Sequence, residues 1–161
     1  MKNKAFIFLL SFTSFVAIGQ TLQLGQQTIE HYLPGTWVCD ITTDIGGTSA
    51  SGRSEDTYFS NGRFNSVAEF KFQLSTEKTA TTYLATGTGI WELDGNQFTT
   101  TSTFTMHEQN SNSAQQTPED SAPLALPEII DVVEIMEINE SKFIMKNQPD
   151  GSLTECFRKV G

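Results

Sequence analysis

The chain is poor in cysteine, histidine and positive charge, and each shortage removes a class of function. Its two cysteines, Cys39 and Cys156, form no C-x-x-C pair, so a zinc ribbon or a thioredoxin-like redox centre has nothing to build on. The two histidines, His31 and His107, stand far apart in the chain and fall at opposite rims of the architecture derived below, whereas a metal site or a catalytic dyad needs them together. No G-x-S-x-G elbow activates a serine, and Thr86-Gly87-Thr88-Gly89 lies within a β-like run, where it opens no helix and makes no phosphate cradle. Ten Lys and Arg stand against 19 Asp and Glu, a formal charge of −9. So acidic a chain lacks the basic footprint that phosphate backbones and anionic lipids require, which excludes nucleic acid as a partner. The chain is therefore read as a non-enzyme with no cofactor and no metal.

Long apolar runs are scarce too, and the one candidate is N-terminal. Met1-Lys2-Asn3-Lys4 followed by AFIFLLSFTSFVAIG has the positive head, apolar stretch and small residues, Ala17 and Gly19, of a secretory signal peptide. Residues 1–19 are read as this leader, cleaved near Gly19/Gln20, because the run falls short of the ~20 apolar residues of a membrane span. The expected location is periplasmic or secreted, with no membrane span in the mature protein. Losing Lys2 and Lys4 with the leader takes the formal charge from −9 to −11. In an exported chain an even cysteine count favours a disulfide between Cys39 and Cys156, with two free thiols as the alternative.

What the chain does have is alternation. A length of 161 residues, 37% of them hydrophobic and 12 of them Phe, suits one folded domain. Residues 20–33 form a short helical segment that Pro34-Gly35 stops. Beyond it eight strands are expected, at 36–43, 53–59, 63–74, 81–93, 97–107, 129–138, 142–147 and 153–160. Along 63–74, Phe64, Ser66, Ala68, Phe70 and Phe72 fall on one face, and Arg63, Asn65, Glu69, Lys71 and Gln73 on the other. No lipid-facing band tolerates the second set, which argues against an outer-membrane barrel. Asn61-Gly62 and Asp94-Gly95 read as two-residue hairpin turns, and Asn139-Glu140-Ser141 as a third tight turn. The longer connections, 44–52, 75–80, 108–128 and 148–152, then fall at the opposite end, as in an up-and-down meander. The fold class is all-β: an eight-stranded antiparallel up-and-down barrel, its base closed by the helix.

Closing such a barrel pairs the last strand with the first. A register that sets Cys39 opposite Cys156 also sets Trp37 opposite Arg158, a cation–π contact of about 0.5–2 kcal/mol. The Asn61-Gly62 turn predicts Phe59 opposite Phe64, Glu55 opposite Ala68 and Arg53 opposite Phe70. The Asp94-Gly95 turn predicts Trp91 opposite Phe98 and Tyr83 opposite Met106. These registers put Phe70, Phe72, Tyr83, Phe104 and Met106 on an interior wall, with Arg53 and Glu55 beside them near the far rim. That set would suit an apolar ligand with one polar group. The alternative is a filled interior with Arg53 and Glu55 paired to each other.

Four features fall in this pattern: Gly35-Thr36-Trp37 after a short helix, the hairpin from Tyr58 to Phe64, the run from Gly89 to Asn96, and the terminal Cys156-Phe157-Arg158. Together they resemble the lipocalin (calycin) family, most of all the small bacterial lipocalin-like domains, over residues 34–161. The chain departs from the family in carrying Asn139-Glu140-Ser141-Lys142-Phe143 where a T-D-Y-type motif stands. The resemblance implies structural roles for Gly35, Trp37 and Arg158, with the Trp packed at the closed base beneath the basic residue. It also implies a barrel that holds a small hydrophobic molecule. The competing expectation is a protein-binding barrel, an inhibitor or immunity protein of a secreted or envelope enzyme, acting through loops 44–52 and 108–127.

Overall fold

The computed structural model describes residues 25–45, 48–74, 80–109, 123–148 and 150–160. The expected leader, its cleavage site and most of loop 108–127 lie outside the described residues. The elements run α1 (Gln26–Tyr32), β1 (Gly35–Ile45), β2 (Thr48–Tyr58), β3 (Arg63–Leu74), β4 (Thr81–Asp94) and β5 (Gln97–Gln109), then β6 (Leu124–Ala125), β7 (Ile129–Ile138), β8 (Lys142–Asn147) and β9 (Leu153–Arg158). Strands β1, β2, β3, β4, β5, β7, β8 and β9 pair in that order, all antiparallel. The ring closes where β9 returns to β1 through Trp37 opposite Arg158 and Cys39 opposite Cys156. This is the expected eight-stranded barrel. The two-residue β6 is an addition that continues the edge of β5 past the end of β7.

The walls differ in height. Strands β1 to β5 have 11 to 14 residues, β8 and β9 have six each, and β7 meets β5 only along Gln97–Ser102. One side of the barrel therefore stands well above the other.

The base is a dry plug. Ile29 and Leu33, from α1 and the turn after it, are wholly buried with Trp37, Phe143 and Cys156, and Tyr58, Phe64 and Phe98 join the same cluster. The Trp37 indole donates to the Leu33 carbonyl at 2.8 Å, so burying its N–H leaves no donor unsatisfied. The Arg158 guanidinium lies 4.2 Å over the Trp37 ring and donates to the carbonyls of Tyr32, Pro34 and Glu140. Gly35 adopts φ +132°, and a Cβ there would overlap the Arg158 guanidinium, which accounts for the glycine of the G-x-W motif. The Cys39–Cys156 disulfide ties the first strand to the last across 117 residues. Such a bond is compatible with an oxidising compartment. No helix among the described residues is long and apolar enough to cross a membrane.

Three expectations of register and length are corrected. The turn after β2 has four residues: Phe59 N–H donates to the Arg63 carbonyl, Gly62 N–H donates to the Phe59 carbonyl, and Gly62 takes φ +79°. A type I turn closed by a left-handed glycine fits the same Asn-Gly pair as the shorter loop does. Tyr58, not Phe59, therefore faces Phe64, and the one-residue slip turns every β2 side chain to the opposite face. The turn after β4 is Gly95-Asn96, which sets Leu93 against Phe98 and Trp91 against Thr100. A two-residue slip preserves the faces. Finally, most of 44–52 is strand: β1 and β2 pair up to Ile45 opposite Thr48. Its Gly, Ser and Thr content reads as loop, but β2 is held between β1 and β3 along its whole length, and pairing overrides propensity.

Candidate functional site

Above the plug the interior holds a cavity of about 250 Å³. Its floor is Tyr58 and Phe98, and its apolar sides are Ile41, Val133, Met145 and Cys39. Polar side chains enter from five strands: Ser54 and Asp56 on β2, Thr100 on β5, Asp131 on β7, Asn147 on β8 and Thr154 on β9. The strand period explains each placement. Asp131 precedes the buried Val133 and Ile135 at spacings of two, and Asp56 lies between the buried Ser54 and Tyr58. A bulge between Ile135 and Glu137 exposes Met136 and restores Ile138 to the core.

The two carboxylates are treated unequally. Asp56 accepts a hydrogen bond from the Ser54 hydroxyl at 2.8 Å and another from the Ser66 hydroxyl. Burial nevertheless lifts its carboxyl above the ordinary value, with the two hydroxyls acting against the rise. Asp131 is an exposed residue that borders the cavity, and partial desolvation of its carboxyl raises it as well, opposed by the Val132 N–H. Tyr58 is 6% exposed, and its hydroxyl makes no hydrogen bond to any described residue. Burial first, then the fields of Asp56 and Asp131, push its ionisation well above the ordinary value, so it is a neutral phenol. Among the described residues that line the cavity there is no Lys, Arg or His. The site is thus a partly open space whose apolar walls carry hydrogen-bonding groups, negative charge and the Tyr58 hydroxyl.

Of the residues expected to bind a ligand, Phe70, Phe72, Tyr83, Phe104 and Met106 do face inward, on the tall wall above the cavity, where they are half-buried. Phe70, Phe72 and Tyr83 form a ring chain with centroids 6.1 and 5.6 Å apart. Phe104 lies flat on its cross-strand neighbour Gly87, where a Cβ would overlap the ring. Gly87 thus makes room for Phe104. Arg53 and Glu55 are corrected: the slip in β2 puts them on the outer face. There Arg53 pairs with Asp40 at 2.8 Å, and Glu55 with Lys159 at 2.5 Å, instead of with each other. Both border an outer depression of about 660 Å³ that crosses β1 to β4, together with Val67, Glu69 and Lys71. Sequence reasoning missed Asp56, Tyr58 and Asp131. The signal for Asp131 was present, since a carboxylate at the same parity as Val133 and Ile135 in 129–138 is a charge on a core face. The other two were hidden by the register of one turn.

No protein-family model matches this chain, and no match is found among curated proteins. The eight-stranded antiparallel barrel with its short helix fits a calycin-like fold.

Proposed function

We propose that this protein is an exported, lipocalin-like binding protein that holds a small, largely apolar molecule inside its barrel. The observation that carries the reading is the interior cavity of about 250 Å³, floored by aromatic rings and set above a base that is packed solid. Ligand sites are concave, mostly apolar and furnished with a few convergent polar groups, and this cavity has all three properties. The half-buried Phe70, Phe72, Tyr83, Phe104 and Met106 continue the apolar surface upward, along the tall wall, and would guide or cover such a molecule. The leader-like residues 1–19 and the disulfide support the exported location.

Native mass spectrometry of the protein, purified from its host and then extracted under denaturing conditions, tests the reading. A discrete extra mass that leaves on unfolding is the expected result. A bare protein that also takes up no apolar probe would shift the reading to a protein-binding barrel. That second reading draws on the outer depression of about 660 Å³, where the half-exposed Val67 is ringed by Arg53, Glu55, Glu69 and Lys71.

A further inference from the structure

The chemistry of the cavity limits what can occupy it. Two carboxylates on opposite walls, the half-buried Asp56 and the exposed Asp131, border a cavity that holds no compensating cation among its described lining residues. Asp56 already takes the hydroxyl protons of Ser54 and Ser66, yet a carboxylate has about four lone-pair sites, so acceptor capacity remains. The Tyr58 hydroxyl is a second, independent polar group of the same space: it belongs to a residue more than nine-tenths buried, lines the cavity, and makes no hydrogen bond to the described chain, so its oxygen can accept from a guest.

Size narrows the guest further. An engineered cavity of about 150 Å³ holds benzene, so about 250 Å³ accommodates roughly ten non-hydrogen atoms. We propose that the cavity binds a small organic ammonium, its charged nitrogen donating to Asp56 and Asp131 and to the Tyr58 oxygen, and its apolar body lying between Phe98, Val133 and Met145. This rests on the reading of the barrel as a small-molecule binder and specifies the ligand class. A carboxylate or phosphate ligand is excluded by the same charges, because burying like charge at short range is strongly unfavourable.

Calorimetric titration of the purified protein with three probes of one shape tests it: phenethylammonium, phenethyl alcohol and phenylacetate. The ammonium should bind at least about tenfold more tightly than the alcohol, as a charge-assisted hydrogen bond allows, and phenylacetate should show no heat of binding. Asp56→Asn should remove that preference by weakening the ammonium more than the alcohol. Asp131→Asn should reduce the preference in a protein whose buried Asp56 network is intact, and Tyr58→Phe should weaken the ammonium severalfold. If the alcohol binds as tightly as the ammonium, or the preference survives in both Asp variants, the ammonium assignment is overturned and the binding function stands. If none of the three probes binds, the cavity is not a ligand site and both readings fall.

Discussion

The base of the barrel and the cavity above it are built from the same strands but to opposite rules. At the base every polar group has a partner: the Trp37 indole on the Leu33 carbonyl, the Arg158 guanidinium on three carbonyls, and the ring of Trp37 under that same guanidinium. Where the plug meets the cavity, Tyr58 turns its hydroxyl to the open space, and above it Asp56 carries a carboxylate into partial burial on the wall opposite the exposed Asp131. Groups that fold a protein are satisfied by the protein, and groups left unsatisfied inside it cost stability. The base is where the fold is secured. The cavity is where stability is given up, the usual sign of a site kept for function.

The largest test of this contrast is Trp37→Ala, which empties the centre of the plug and strips Arg158 of its stacking partner. A loss of about 3–5 kcal/mol is expected from urea unfolding, in line with truncation of a wholly buried aromatic. Next comes the disulfide: the Cys39→Ser, Cys156→Ser double variant should lose about 2–5 kcal/mol under oxidising conditions, since the bond closes the ring across nearly the whole barrel sequence. Equal stability of that variant and the wild type would mean the ladder of β1 and β9 closes the barrel unaided. In the upper half, Phe72→Ala should cost only about 1 kcal/mol, because the ring is half-buried and loses correspondingly little apolar contact. A cost for Phe72→Ala near that of Trp37→Ala would erase the distinction between the two halves.

What was legible in the sequence divides along the same line. Alternation in 63–74 identified the inward face of β3, and the pairing of Cys39 with Cys156 carried Trp37 onto Arg158, because antiparallel register makes one contact dictate the next. Those residues belong to long-range geometry that hydrophobic pattern encodes directly. Arg53 and Glu55 were misplaced because the face of β2 depends on whether the turn at Asn61-Gly62 holds two residues or four, and both turns use the same glycine with positive φ. One residue decided whether the barrel interior received Arg53 and Glu55 or Ser54, Asp56 and Tyr58. The cavity itself was not legible, since its existence depends on how far the short β8 and β9 rise against β1 to β5, and wall height is a property of pairing.

The subtlest test exchanges one atom of the cavity. Asp56→Asn keeps an oxygen to accept from Ser54 and Ser66 but removes a charge that burial disfavours. The raised carboxyl of Asp56 means that the native protein holds this proton more tightly than the unfolded chain, in which the group titrates near 3.8. Below that value both states are protonated and Asp56 contributes no penalty. As pH rises the unfolded chain ionises first, so native stability falls until pH passes the raised native value, after which the loss is constant. At neutral pH the full penalty is therefore present, and Asp56→Asn should be more stable than the wild type. The advantage should shrink as pH falls through the native titration and close below about 3.8. Asp131, raised by burial on the facing strand, titrates in both proteins and cancels in the comparison, as does the neutral Tyr58. Urea unfolding of the two proteins at neutral and acid pH measures the difference. A variant less stable than the wild type at neutral pH would show that Asp56 is held by its two serines as a structural anchor, and would move it from the cavity's account to that of the base.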